Sequence, residues 1–94
     1  MTVPTTILVV DDDPEVRSIL HRCFELDGYH VIEAMNGEQM RVRLAENAVS
    51  LITLDLKMPG EDGLTLAREI RAQKNVPIIM VTGRDDPIDR VVGL

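Results

Sequence analysis

The sequence predicts a three-layer α/β domain in which helices cover both faces of a parallel sheet. Four short apolar segments alternate with segments of helical periodicity, and three of the four are almost continuously apolar. Strands of that composition are buried on both faces, which is typical of parallel sheets built from βαβ units. Since crossovers in such units are right-handed, few topologies remain, and periodicity alone leaves the strand order open.

The first strand and helix are predicted from residues 6–26. Residues 6–10 are apolar and rich in β-branched side chains, which favours a strand. Asp13 suits the N-cap of the following helix and Pro14 suits its first position. A spacing of three to four residues predicts a buried apolar stripe on this helix. Its members are Val16, Ile19, Leu20, Cys23, Phe24 and Leu26.

The next unit combines a short strand, a helix and a longer apolar strand. Residues 29–34 form the predicted second strand, and a weaker helix begins at Asn36 or Gly37. Residues 51–54 are an apolar run that leads directly into Asp55. Carboxylates are seldom buried unless they are paired or bound to a metal, so this strand end needs an explanation.

The last predicted elements follow the turn at Pro59 and Gly60. A third helix begins at Asp62 or Gly63, and residues 76–82 form a fourth buried strand. An aspartate followed by a proline at 86–87 repeats the pattern of a helix start. The spacing of Ile88, Val91 and Val92 therefore predicts a fourth helix, inside which the chain ends.

Composition narrows the class of protein. A chain of 94 residues is one small domain, and a net charge of −6 with 2% aromatic residues argues against direct nucleic-acid binding. A single cysteine excludes an internal disulfide and fits a reducing compartment. No apolar run approaches the roughly 18 residues of a membrane span, and the N-terminus does not resemble a signal peptide. We therefore expect a cytoplasmic acidic domain without membrane contact.

Oxygen-bearing side chains stand at the ends of three predicted strands. Asp11 and Asp12 follow the first strand, Asp55 ends the third, and Thr82 ends the fourth. Ligands of open parallel sheets bind beyond the carboxyl ends of the strands. If the first and third strands are neighbours, three carboxylates converge, and a divalent cation such as Mg²⁺ would relieve their repulsion. Asp55 could then act as a nucleophile toward phosphorus, assisted by the Thr82 hydroxyl.

Other polar residues have simple structural explanations. Asp13 is accounted for by helix capping, and His30 by an exposed strand end without companion metal ligands. Asp55 alone would be explained as a turn residue, but the acidic pair and Thr82 on neighbouring strand ends favour a functional site. Four arginines fall on outward helix faces and are predicted to be solvated, with contact to a partner left open for some of them: Arg41, Arg43, Arg68 and Arg71.

Three motifs together resemble the receiver domain of two-component response regulators: VVDDDP, LDLKMPGEDG and VTGRDD. The resemblance covers residues 1–94 and implies a flavodoxin-like (CheY-like) fold of strand order 2-1-3-4. It implies that Asp55 is the phosphoacceptor. It also implies that Asp11, Asp12, Asp55 and the backbone carbonyl of Lys57 bind Mg²⁺, and that Thr82 is the switch hydroxyl. The implied partner is a sensor histidine kinase. The residues PGEDG and TGRDD within these motifs resemble the OmpR/PhoB type, whose output is DNA-binding transcription regulation.

The sequence also departs from that family. Its members carry a fifth strand and helix and a strand-five lysine that binds the phosphoryl group, and neither Lys57 nor Lys74 matches this lysine. The domain is therefore expected to be incomplete at its C-terminus. With strand four at the edge of the sheet, a fragment, a homodimer or segment exchange through that edge is expected.

Two alternatives to a phosphoacceptor stay open. One is a degenerate receiver that acts only in protein interaction or dimerisation, which the missing lysine favours. The other is an aspartate-nucleophile phosphatase of the haloacid-dehalogenase kind, but Asp11, Asp13 and Glu15 do not supply its motif. No turnover of an external substrate is expected. The Lys57 side chain either influences the lifetime of a phosphoryl group or lies in solvent.

Overall fold

The computed structural model describes residues 5–58, 60–81 and 90–92. Four strands alternate with three helices in the order that the sequence predicts. Three short strands, which were not predicted, are present in addition. The elements are β1 (Thr6–Val10), α1 (Pro14–Leu26), β2 (His30–Ala34), α2 (Gly37–Glu46), β3 (Leu51–Asp55), β4 (Lys57–Met58), β5 (Glu61–Asp62), α3 (Gly63–Gln73), β6 (Ile78–Val81) and β7 (Arg90–Val92).

The main sheet has the strand order β2-β1-β3-β6-β7. The first four strands are parallel, so the predicted order 2-1-3-4 is confirmed, with β6 as the predicted fourth strand. β1 and β3 are neighbours, and Val10 lies opposite Leu54 in their register. The residues that follow these two strands therefore meet at one edge of the sheet.

Each helix begins at a side-chain cap. Asp13 and Asp62 accept hydrogen bonds from the backbone N–H groups of Glu15 and Leu64. Asn36 accepts one from Gln39. These contacts satisfy backbone donors that have no partner within the first turn of a helix. The predicted starts of the first three helices are therefore confirmed.

The two faces of the sheet differ in how well they are covered. The larger apolar cluster joins the sheet to α2 and α3, with Met40, Leu66 and Ile70 against Leu8 and other strand residues. On the opposite face, a smaller cluster consists of Ile7, Val9 and Val31, and the α1 residues that pack against it are Leu20 and Phe24. The face that carries α2 and α3 therefore holds most of the core.

The prediction of a buried stripe on α1 is wrong for half of its residues. Cys23 is exposed, and Ile19 and Leu26 are 58% and 80% exposed. None of the α1 residues, all of which the structure describes, is fully buried. The helix contacts the sheet through the side that carries Leu20 and Phe24, while Ile19, Cys23 and Leu26 lie on the flank that faces away.

The prediction of a fourth helix is wrong at residues 90–92. These residues form β7, which pairs antiparallel with β6 in a register that places Val92 opposite Ile78. The edge of β6 from Ile78 to Met80 is therefore covered rather than open. Three apolar positions are too few to establish a helical period, and the β-branched residues here supply backbone partners to an apolar strand. The remainder of the predicted helix lies outside the described residues.

Within the part of the chain that the structure describes, no helix has the length and apolarity needed to cross a membrane.

Candidate functional site

Three carboxylates meet at the carboxyl ends of β1 and β3. Asp11, Asp12 and Asp55 each place one oxygen within 4.8 Å of the others. Asp11 and Asp55 are 5% and 9% exposed, whereas Asp12 is open to solvent. The predicted convergence of these residues is therefore present in the fold, because β1 and β3 are adjacent.

Backbone hydrogen bonds fix the orientation of the two buried carboxylates. Asp11 Oδ1 accepts from the N–H of Asp13 at 2.9 Å, and Asp55 Oδ1 accepts from the N–H of Lys57 at 3.0 Å. The Asp11 backbone is itself anchored, since its N–H donates to the Ala34 carbonyl at 3.1 Å. Each carboxylate is thus held by a turn that follows its strand.

The electrostatics of the cluster are unfavourable in the absence of a cation. The pKa of Asp11 is raised to about 6, chiefly by burial and also by the nearby charges of Asp55 and Asp12, while the hydrogen bond from Asp13 opposes the shift. Burial also raises the pKa of Asp55, and the hydrogen bond from Lys57 opposes this shift. Buried acids that repel one another favour either protonation or a bound cation.

The donor set fits a hard divalent cation. All three side chains offer oxygen ligands, and the exposed Asp12 leaves the cluster open to water on one side. Mg²⁺ prefers oxygen ligands and retains several waters, so it matches this arrangement better than metals that favour nitrogen or sulfur.

Of the remaining predicted site residues, Lys57 is described and Thr82 is not. Lys57 is the first residue of β4, and its N–H contacts Asp55 as described above. Thr82 lies outside the described residues. The small antiparallel hairpin of β4 and β5 directly follows Asp55 and was not predicted from the sequence.

Arg17 is a residue that sequence reasoning missed. Its Nη1 donates to the backbone carbonyl of Asp11 at 2.8 Å, and its Nε donates to Glu33 Oε1 at 3.2 Å. His21 Nδ1 lies 2.6 Å from the other oxygen of Glu33. A single arginine on a helix surface gives no local signal for such contacts, because its partners follow β1 and lie within β2.

Two of the arginines that were predicted to be solvated also make contacts within the protein. Arg41 bonds Glu69 Oε2 at 2.7 Å through Nε and Glu69 Oε1 at 3.0 Å through Nη2, which joins α2 to α3. Arg43 Nε donates to the backbone carbonyl of Glu33 at 3.1 Å. The side chains of Arg41 and Arg43 are still 47% and 43% exposed, so both remain accessible to solvent while the facing elements bring acceptors within reach.

The sequence of this chain is similar to those of several known proteins. A family model described as the response regulator receiver domain matches residues 7–94. The transcriptional regulatory protein AruR of Pseudomonas aeruginosa is 48% identical over 99 residues, which cover 100% of this chain and 41% of AruR. The aerobic respiration control protein ArcA of Escherichia coli is 43% identical over 88 residues, covering 94% of this chain and 37% of ArcA. The chain thus spans about two fifths of these relatives.

Solved structures agree with the fold. The response regulator TrrA of Thermotoga maritima, in complex with Mg²⁺-BeF, has a TM-score of 0.78 and 38% identity, covering 87% of this chain and 76% of TrrA. The complex of TrrA with the histidine kinase ThkA has a TM-score of 0.79 and 39% identity, covering 84% of this chain and 69% of the matched chain. The similarity to AruR and ArcA agrees with the expected OmpR/PhoB type. From its matched residues and its fold, this chain belongs to the response regulator receiver domain family.

Proposed function

We propose that this domain is a phosphoacceptor of two-component signalling, in which Asp55 receives a phosphoryl group from the phosphohistidine of a sensor kinase. The observation that carries the proposal is the meeting of Asp11, Asp12 and Asp55 within 4.8 Å at the carboxyl edge of the sheet. The relative TrrA supports it, because TrrA is known in complex with Mg²⁺-BeF and with the histidine kinase ThkA.

In the proposed reaction, an oxygen of Asp55 attacks phosphorus. The new O–P bond forms as the P–N bond of phosphohistidine breaks, and the imidazole nitrogen keeps the electron pair of that bond. The Lys57 N–H holds Oδ1 of Asp55 and thereby limits rotation of the carboxylate. When bound, Mg²⁺ would supply positive charge for the carboxylates and the phosphoryl oxygens.

Each remaining role is assigned to one group. Asp11 and Asp12 would hold Mg²⁺ together with Asp55 and the Lys57 backbone carbonyl. The Thr82 hydroxyl would hydrogen-bond the phosphoryl group, and the domain would turn over no external substrate. Since AruR is a transcriptional regulatory protein, we extend the proposal to control of transcription by a longer polypeptide.

Intact-mass measurement after incubation with acetyl phosphate and Mg²⁺ tests the proposal. We expect one acid-labile phosphoryl adduct per chain, which is absent from the Asp55→Asn variant and from protein treated with EDTA. The matched control is Asp27→Asn, an exposed aspartate at the end of α1, which should be phosphorylated normally. Failure of the unaltered protein to form any adduct would favour the degenerate interaction module. Hydrolysis of free phosphate esters would favour a phosphatase.

Self-association remains a separate prediction. β7 already covers the edge of β6, so a homodimer would form by exchange of β7 between two copies rather than through an open β6 edge. Sedimentation over a range of concentrations tests this. A mass that equals one chain at every concentration would contradict it.

A further inference from the structure

The β4–β5 hairpin beside Asp55 needs support from outside itself. Each of its strands has two residues, and Lys57 and Met58 pair with Asp62 and Glu61. A hairpin of this size is not stable alone in water. At its first strand the Lys57 N–H contacts Asp55. Its second strand must therefore be fixed by another contact if the Lys57 backbone is to keep one position.

Glu61 makes that contact at the N-terminus of α2. Its Oε1 accepts the backbone N–H of Gly37 at 2.9 Å. This N–H is one of the donors that the first turn of a helix leaves without a partner, and the helix dipole favours a carboxylate there. The N-cap Asn36 serves a different donor, the N–H of Gln39, so the Glu61 contact is not redundant with the cap.

The glycine at position 37 is explained by Glu61. A Cβ on residue 37 would lie 2.6 Å from Oε2 and 2.7 Å from Cδ of Glu61, and it would also collide with Oε1. Gly37 has a negative φ, so its backbone conformation is open to any residue. Because conformation does not require glycine, the effect of this glycine is spatial: any larger residue at position 37 would displace the Glu61 carboxylate from its contact.

The hydrogen bond to Gly37 outweighs the ion pair that Glu61 makes with Arg41. Glu61 Oε2 lies 3.5 Å from Arg41 Nη2, whereas Arg41 already bonds both oxygens of Glu69 at 2.7 and 3.0 Å. The Glu61 carboxylate is 30% exposed, which weakens an ion pair further. A glutamine at position 61, which has an uncharged acceptor on a side chain of the same length, should therefore preserve most of the stabilisation that Glu61 provides.

We propose that Glu61 is a positioning residue for the acidic site: its bond to the N-terminus of α2 fixes the hairpin and thereby the Lys57 backbone beside Asp55. The inference rests on the proposed function, in which the Lys57 carbonyl binds the cation. It assigns a role to the pair formed by Gly37 and Glu61, whose members are 24 residues apart in the sequence.

The first test measures Mg²⁺ binding to the whole chain by calorimetry, with Mg²⁺ alone as the probe. We expect Glu61→Ala to weaken binding about threefold to tenfold, because only part of the free energy of the lost hydrogen bond acts on the cation site through the hairpin. Glu61→Gln should remain within about twofold of the unaltered protein, since an amide oxygen still accepts from Gly37. The control is Glu38→Ala, which removes an exposed carboxylate from the first turn of the same helix. Equal affinities of the Glu61→Ala variant and the unaltered protein would overturn the inference.

A double-mutant cycle tests whether Gly37 and Glu61 act together. Gly37→Ala should weaken Mg²⁺ binding when Glu61 is present, because the methyl group displaces the carboxylate. In the Glu61→Ala background the same change should cause no further loss, and alanine should favour the helix. Strictly additive effects would contradict a shared contact.

Amide hydrogen exchange in metal-free protein separates this inference from the proposed function. Glu61→Ala should speed exchange of the Lys57 N–H, whereas Glu38→Ala should not, and urea unfolding verifies that both variants fold. Unchanged exchange at Lys57 overturns the positioning role whatever the affinity. Faster exchange in a protein that binds no Mg²⁺ would support the Glu61 contact and contradict the metal site itself.

Discussion

Arg17 joins helix α1 to the backbone of the acidic cluster, because its Nη1 donates to the Asp11 carbonyl oxygen at 2.8 Å. The same guanidinium contacts Glu33 of β2 at 3.2 Å and is 17% exposed. Arginine can serve two acceptors in different directions, since its planar head carries five donors. Arg17 thus ties together the segment after β1, the adjacent strand and the helix that covers them.

Replacing Arg17 should lower stability more than replacing another arginine on the same helix. Arg17→Met keeps the apolar stem but removes both hydrogen bonds, so we expect the free energy of unfolding to fall by about 1–3 kcal/mol. Urea denaturation in EDTA measures this. Arg22→Met, at an exposed position of α1, is the control and should change stability by less than about 0.5 kcal/mol. Equal losses in both variants would contradict the specific role of Arg17.

His21 should make stability depend on pH near neutrality. The hydrogen bond to Glu33 raises its pKa above 6.5, burial opposes this, and Glu25 raises it further. The folded state therefore binds the proton more tightly than the unfolded chain. The stabilisation is fully present below pH 6.5 and is lost as pH rises through the higher folded pKa.

Comparison of the unaltered protein with His21→Gln tests this effect. The difference in unfolding free energy should be larger at pH 6 than at pH 8.5 by a few tenths of a kcal/mol to about 1 kcal/mol, because solvent screens a partly exposed pair. Arg17 also contacts Glu33, at 3.2 Å. His30→Gln, the same replacement at an exposed position, is the control. If the unfolding free energies of the His21→Gln variant and the unaltered protein changed with pH in parallel, His21 protonation would not be linked to stability.

Removing the Asp11 charge should stabilise the metal-free protein at neutral pH. Its pKa of about 6 exceeds the usual value of 3.8, so ionisation opposes folding, and stability falls as pH rises from about 3.8 to about 6. Asp11→Asn should therefore raise the unfolding free energy at pH 7.5 by on the order of 1–2 kcal/mol.

Thermal and urea unfolding across this pH range, in one series with EDTA and in another with Mg²⁺, provide the measurement. The advantage of Asp11→Asn should shrink toward pH 4, and the stabilisation that Mg²⁺ gives the unaltered protein should disappear in the variant. Asp27→Asn is the control. A variant that is less stable than the unaltered protein at pH 7.5 would show that the Asp11 charge is already compensated.

Gly63 should tolerate no larger residue. A Cβ there would lie 2.8 Å from the Leu56 Cα and 2.9 Å from the Asp55 carbonyl oxygen, both of which are backbone atoms. Gly63→Ala should cost about 1–3 kcal/mol of stability and slow phosphorylation by acetyl phosphate, since relief of the clash moves the segment after Asp55.

Gly28→Ala provides the comparison for Gly63. Gly28 has a φ of 91° but open space around its Cβ position, so alanine there should cost only about 1 kcal/mol through backbone strain. Phosphorylation should be unaffected, because Gly28 follows α1 and lies away from the acidic cluster. A Gly63→Ala variant that is phosphorylated at the normal rate would contradict the proposed coupling to Asp55.

Local patterns in the sequence were sufficient to predict the parallel sheet, the starts of the first three helices and the acidic residues of the candidate site. Continuous apolar runs identify strands buried on both faces, and Asp13 and Asp62 mark helix starts through contacts within two residues. Asp11 and Asp55 follow such runs, and parallel strands bring their carboxyl ends to one edge. The candidate site could therefore be predicted once β1 and β3 were taken as neighbours.

Long-range packing decided the remaining features. The bond between Gly37 and Glu61 and the contacts of Arg17 join residues that no local period relates. The sequence by itself determined which residues form the four parallel strands and which carry the carboxylates, because burial and capping act through near neighbours. Only the tertiary structure decided which side of α1 is covered, that residues 90–92 pair with β6, and what holds the segment after Asp55. Those outcomes depend on distances between elements, which are set when the layers pack.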